Sequence, residues 1–197
     1  MTSFTQPYRL AAAFCAALVL AACGGDSGGD LYLAGSISGL TKEGLVLENR
    51  ANGDTKAVPA FAQSFVFDKG LDNDETFDVQ IKTQPNGAVC TPFYNRGRTG
   101  AYSIQSIEIR CQTNAYQLGG SISGLSADGL VLINGADKLT VPAGATSFIM
   151  PTKVADGGPY GLIIFSQPAG QQCAMAGTTT GLMGSGDNLN AVQITCQ

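Results

Sequence analysis

Gly35-Ser36-Ile37-Ser38-Gly39-Leu40 returns 85 residues later as Gly120-Ser121-Ile122-Ser123-Gly124-Leu125. Self-similarity at a fixed separation means repeated structural units, so this block decides how the rest of the chain is read. The correspondence continues in order: Gly44-Leu45-Val46-Leu47 matches Gly129-Leu130-Val131-Leu132, and Asn49 matches Asn134. Further along, Val58-Pro59-Ala60 matches Val141-Pro142-Ala143, Phe65 matches Phe148, Gln84-Pro85 matches Gln167-Pro168, and Cys90 matches Cys173. The offset falls from 85 to 83 through the middle and is 85 again at Cys111 and Cys196. Both length changes fall in polar or glycine-rich stretches, where insertions mark surface loops. The repeats span residues 33–111 and 118–197. Between them Gln112-Thr113-Asn114-Ala115-Tyr116-Gln117 is a polar link that reaches about 20 Å at most, so the two units are expected to be neighbours that touch near Tyr116.

Each unit of about 80 residues reads as all-β. In the first, residues 33–37, 45–49, 55–58, 64–67, 77–83, 88–91 and 103–111 are short strand candidates separated by Gly, Asn, Asp and Pro. Phe77, Val79 and Ile81 alternate with Asp78, Gln80 and Lys82, and Ile107, Ile109 and Cys111 alternate with Glu108 and Arg110. Period two with one wet side is the pattern of a half-buried antiparallel strand. No stretch after residue 23 carries a helical apolar stripe. About seven short strands per unit resemble an immunoglobulin-like or fibronectin-like β-sandwich, with a small barrel as the competing architecture. The expected fold class is therefore all-β: two tandem sandwich domains, each with one internal disulfide.

The cysteines support that plan. Cys90 and Cys111 lie in the first unit, and Cys173 and Cys196 occupy the matching positions of the second. Three pairings of four cysteines exist, and equivalence of the repeats favours Cys90 with Cys111 and Cys173 with Cys196. Each bridge would contribute roughly 3 kcal/mol in the chain-entropy account, useful to units whose small cores supply little net stability. There is no Cys-x-x-Cys spacing and no histidine in the sequence, so a redox or metal role for these thiols is a poor fit.

The missing histidine also excludes Ser-His-Asp and Cys-His catalysis and removes the usual general base near neutral pH. No phosphate-binding glycine loop precedes a helix. No enzymatic activity and no cofactor are expected. The whole chain carries 11 Lys plus Arg against 15 Asp plus Glu, a balance that argues against nucleic acid and against a polybasic membrane contact.

Two segments are candidates for binding. Residues 68–78 are dense in oxygen ligands, and Asp72, Asp74 and Asp78 are the calcium candidates, although the spacing is not that of an EF-hand loop. Phe93, Tyr94, Arg96 and Arg98 lie between Cys90 and Cys111. Exposed aromatic and arginine side chains suit protein interfaces, which makes these four the candidate interaction residues; Tyr102 is read equally as packing. In the second unit this stretch becomes rich in Gly, Thr and Met, so the two loops offer non-equivalent surfaces.

The N-terminus gives an address. Arg9 precedes an apolar run from Leu10 to Leu20, which ends in Leu20-Ala21-Ala22-Cys23-Gly24. The run is shorter than the roughly 20 apolar residues of a membrane-spanning helix and has the three parts of a secretory signal. The Leu-Ala-Ala-Cys block resembles the lipobox of bacterial lipoproteins. That resemblance implies removal of residues 1–22 together with Cys15, and lipidation of Cys23 by a diacylglycerol with a third chain on its amine. Gly24, where inner-membrane retention would call for aspartate, implies outer-membrane sorting in a Gram-negative envelope. Several acyl chains make a durable anchor. Residues 23–32 then form the lipidated cysteine and a flexible tether, of which Gly24-Gly25-Asp26-Ser27-Gly28-Gly29-Asp30 buries nothing.

The Gly-Ser-Ile-Ser-Gly-Leu, Gly-Leu-Val-Leu and Gln-Pro-x-Gly-x-x-Cys blocks resemble tandem modules of similar length in secreted and lipid-anchored Gram-negative proteins. That resemblance implies the sandwich and the envelope, and no active site. The reading that follows is a non-catalytic envelope lipoprotein with a structural or protein-interaction role, its partners being the membrane through its lipid anchor and an envelope protein. A carbohydrate-binding or calcium-binding surface lipoprotein is the alternative.

Overall fold

A computed structural model of the chain describes residues 29–197. The expected secretory signal with Cys15, the expected lipidation site Cys23 and the expected tether as far as residue 28 lie outside the described residues. The first unit contains β1 (Leu33–Ser38), β2 (Leu45–Asn49), β3 (Asp54–Val58), β4 (Ser64–Val66), β5 (Thr76–Thr83), β6 (Ala88–Phe93), β7 (Arg96–Arg98) and β8 (Ile104–Thr113). They form two four-stranded sheets, ordered β4-β1-β8-β6 and β3-β2-β5-β7.

A two-residue strand, β9 (Ala115–Tyr116), leads into the second unit, which contains β10 (Leu118–Ser123), β11 (Leu130–Asn134), β12 (Asp137–Val141), β13 (Ser147–Ile149), β14 (Val154–Ala155), β15 (Pro159–Ser166), β16 (Cys173–Gly177), β17 (Thr180–Leu182) and β18 (Asn188–Cys196). Its sheets, β13-β10-β18-β16 and β12-β11-β15-β17, repeat the first unit strand for strand.

The inward faces of each pair of sheets share one core. Leu33, Ile37, Phe65, Ile107 and Ile109 from one sheet meet Leu45, Leu47, Val58, Phe77 and Val79 from the other. The second core is built at the matching positions, from Leu118, Ile122, Phe148, Val192 and Ile194 against Leu130, Leu132, Val141, Tyr160 and Leu162. Each such buried side chain contributes roughly 1.5–3 kcal/mol.

The repeated Gly-Ser-Ile-Ser-Gly-Leu block now has a physical reason. Ile37 and Leu40 enter the core while Ser36 and Ser38 face out. Gly35 lies between β4 and β8, where a Cβ would stand 2.3 Å from the Ile107 carbonyl oxygen and 2.8 Å from the Phe65 ring; at Gly120 the same atoms of Val192 and Phe148 would be 2.1 and 2.8 Å away. Gly39 and Gly124 have φ of 73° and 76°, and a Cβ there would meet the carbonyl oxygen of Cys111 or Cys196 at 2.1 or 2.2 Å. Only glycine fits both demands.

The connectivity departs from the immunoglobulin order, in which the first two strands share a sheet. Here β1 and β2 lie in different sheets, and the first and last strands of the unit pair in parallel, Gly35 opposite Ile107 and Ile37 opposite Ile109. The second unit does the same with β10 and β18. Because two parallel neighbours point the same way, the chain begins each unit at one end and leaves it at the other. A second departure is β7, an exposed Arg96-Gly97-Arg98 strand paired with β5, in a stretch whose charge and glycine read as loop.

Candidate functional site

The disulfides join Cys90 to Cys111 and Cys173 to Cys196. Each links directly opposed residues of neighbouring strands, β6 with β8 and β16 with β18, so the bridge lies within one sheet. Strand β6 is an edge, and the glutamine of the Gln-Pro block covers it. Gln84 Oε1 accepts from the Cys90 backbone N–H at 2.7 Å while its Nε2 donates to the Cys90 carbonyl at 3.0 Å. Gln167 makes the same two bonds to Cys173, at 2.7 and 3.0 Å. A side-chain amide thus stands in for the missing neighbouring strand.

The four candidate interaction residues divide between two surfaces. After β6 the chain bends at Tyr94, φ 52°, and passes to the other sheet as β7. The matching residue of the second unit is Gly177, φ 95°, so the bend needs a left-handed residue and Tyr94 takes it with its side chain 68% exposed. Asn95 fixes the bend, its Nδ2 donating to the Val79 carbonyl at 2.7 Å and its own carbonyl accepting from the Val79 N–H at 2.8 Å. Phe93 remains on the outer face of the first sheet with the Arg110 guanidinium 4.7 Å over its ring. Arg110 is a partner that the sequence did not single out, since it lies 17 residues further on. Arg96 and Arg98 belong to the outer face of the second sheet, and Tyr102 is exposed.

Those two arginines meet the acidic segment. Arg96 Nε donates to Asp78 Oδ1 at 2.8 Å, and Arg98 Nε is 3.4 Å from Asp74 Oδ1. Asp72 donates its backbone N–H to Glu75 Oε2 at 2.7 Å. Asp72, Asp74 and Asp78 therefore do not converge, and no group of three or more His, Cys, Asp or Glu side chains among the described residues could hold a metal ion. The cross-strand pairing of β5 with β7 places a cation beside two of these carboxylates instead. The Gln80 amide holds the Asp78 carboxyl below the usual carboxylate range; desolvation opposes it, and Arg96 adds to the lowering.

The contact between the units is polar and tight. Residues 112–117 are mostly strand: β8 runs to Thr113, and Ala115–Tyr116 pair with Val154–Ala155. Asn114 donates its N–H to the Gly87 carbonyl at 2.9 Å, and its own carbonyl accepts from the Asp156 N–H at 2.8 Å. Lys42 Nζ, from the loop between β1 and β2, reaches Asp156 Oδ1 at 2.6 Å, with side-chain exposures of 23% and 13%. Gly87 is required beneath that carboxylate, because a Cβ there would lie 2.6 Å from it.

The surface depressions lined by Phe61 and Gln63 and by Phe93 and Arg110 are open. No helix among the described residues is long and apolar enough to cross a membrane. No family model matches the chain, and no curated protein matches it. Among solved structures it is similar to the major pilin protein T-13 of Streptococcus pyogenes, with 9% identity and a TM-score of 0.30 over 84% of this chain and 95% of the pilin.

Proposed function

We propose that the chain is a non-catalytic, lipid-anchored spacer of a Gram-negative outer membrane, which holds an interaction surface away from the bilayer. In this reading residues 1–22 are removed, Cys23 carries the acyl chains and residues 23–32 tether two sandwich beads, 33–111 and 118–197, joined through 112–117. The observation that supports a spacer is the parallel pairing of the first and last strands in each unit. It directs successive units away from one another, and the Lys42–Asp156 contact ties them end to end. The lipobox supplies the anchor at the near end.

Metabolic labelling with an alkyne fatty acid in a Gram-negative host tests the anchor. The full chain is expected to take the label and sediment with outer membranes, and Cys23→Ser to lose both the label and the sedimentation. Label retained in Cys23→Ser, or an unmodified amino terminus by mass spectrometry, would overturn the reading.

A further inference from the structure

Asn86-Gly87 lies where the two units meet, and it is one of three Asn-Gly pairs in the sequence, with Asn52-Gly53 and Asn134-Gly135. Such a pair can react with itself, because a residue without a Cβ lets its backbone nitrogen approach the preceding side chain. The glycine nitrogen bonds to the asparagine Cγ, and the amide nitrogen leaves as ammonia with the proton that the glycine nitrogen gives up. Water then opens the resulting cyclic imide. Opening at one carbonyl gives aspartate; opening at the other gives isoaspartate, whose main chain is longer by a methylene.

The fold treats the three pairs differently. At Asn52 the side-chain carbonyl accepts from the Asp54 N–H at 3.0 Å, and Gly53 gives its N–H to the Asn49 carbonyl at 2.8 Å. At Asn134 the side-chain carbonyl accepts from the Gly161 N–H at 2.8 Å. At Asn86 the backbone N–H donates to the Glu43 carbonyl at 2.9 Å, while the exposed side-chain amide and the Gly87 N–H have no hydrogen-bond partner among the described residues. Both reacting groups are therefore unrestrained at this pair. The matching residues of the second unit are Ala169-Gly170, so the pair is not repeated at the far end.

The same residues bear the contact between the units. The Gly87 carbonyl accepts from the Asn114 N–H at 2.9 Å, and Asp156 covers Gly87 so closely that a Cβ there would stand 2.6 Å from its carboxylate. Lys42, next to the Glu43 that holds Asn86, supplies the cation for that carboxylate at 2.6 Å. We infer that Asn86 is a site of spontaneous conversion to isoaspartate and that the conversion releases the junction. The inserted methylene moves Gly87, which has no room to shift toward Asp156, and the new carboxylate adds a second negative charge near the Lys42–Asp156 pair, where like charges repel. The inference rests on the contact between the units and does not depend on the anchor.

The test is peptide mapping by mass spectrometry of the full chain, disulfides oxidised, after incubation at mildly alkaline pH. The Asn86 peptide is expected to show the amide-to-acid mass gain, and to become a substrate of isoaspartyl methyltransferase, at least about fivefold faster than the Asn52 and Asn134 peptides, the factor for one net hydrogen bond that must first break. In the reduced, denatured chain the three should react at nearly equal rates. X-ray scattering of the aged protein should show a wider spread of inter-unit distances than fresh protein. Aged Asn86→Gln, which keeps the amide but closes the ring far more slowly, should keep the narrow spread. Asn86→Ala, the residue of the second unit at this position, serves if that variant does not fold. Equal rates for the three pairs in the folded chain, isoaspartate at Asn86 with an unchanged scattering profile, or the same broadening in the aged variant would overturn the inference.

Discussion

Gln84→Ala removes a side chain whose two hydrogen bonds both run to the backbone of Cys90, and it should be among the most destabilising single changes in the first unit. Its amide bonds the backbone N–H of Cys90 at 2.7 Å and the carbonyl at 3.0 Å. Cys90 is buried on an edge strand. Truncation leaves both groups unpaired at the rim of the core, at about 1–3 kcal/mol for each, or roughly 2–4 kcal/mol where water restores part of the loss. For a unit of this size 1 kcal/mol corresponds to about 4–8 °C, so the first unit should melt about 8–32 °C lower. Differential scanning calorimetry with both disulfides oxidised measures this. Gln84→Glu should lose nearly as much, since a carboxylate still accepts from the N–H but faces the Cys90 carbonyl with no proton to donate. The same substitutions at Gln167, which has the same two distances, should act equally on the second unit. A Gln84→Ala variant within about 0.5 kcal/mol of the parent, the range of ordinary surface substitutions, would refute the idea that this amide closes the sheet edge.

Two further predictions concern charge. Lys42→Met should uncouple the units by roughly 1–3 kcal/mol, between the limits for exposed and buried ion pairs, because it leaves the Asp156 carboxylate mostly buried and without its cation; calorimetry combined with Asp156→Asn in a double-mutant cycle gives the coupling, and X-ray scattering should show a wider spread of inter-unit distances. Asp78 has a folded pKa below its unfolded value, so the stability it adds is full above the unfolded carboxylate range and is lost as pH falls through the folded pKa; Asp78→Asn should flatten the acid side of the stability profile and leave the neutral region's slope unchanged, as read by urea unfolding across pH.

The repeat and the inward alternation were legible because burial of one face of each strand imposes period two on the chain. Phe77, Val79, Ile107 and Ile109 are buried as that alternation requires. Strand β7 was not legible, since Arg96-Gly97-Arg98 has no apolar residue to mark a face; it is held by cross-strand pairing to β5 and by arginine contacts to Asp78 and Asp74. The same residues explain why the acidic segment resembled a cation site: carboxylates paired to a strand 18 to 24 residues away are indistinguishable in sequence from carboxylates facing an ion. The parallel pairing of first and last strands was equally hidden, because alternation fixes which side of a strand is inward and says nothing of its neighbours.

The two units separate what duplication holds constant from what it releases. Positions retained in both include those a sandwich of this connectivity cannot change: glycines against a carbonyl, the glutamine at the edge, the cystine and the alternating core. Buried positions also differ, as Ile107 from Val192 and Val79 from Leu162, and stay apolar; outward positions change polarity as well. On one sheet Glu48, Gln80 and Lys82 give way to Ile133, Ile163 and Phe165, and Lys42, which clasps Asp156, becomes Ala127. The far end of the second unit accordingly lacks the cation that would accept a third. Asn73 stands in the first unit where Asp156 stands in the second, so the near end likewise lacks the carboxylate at that position. The Lys42–Asp156 contact is thus specific to this one junction.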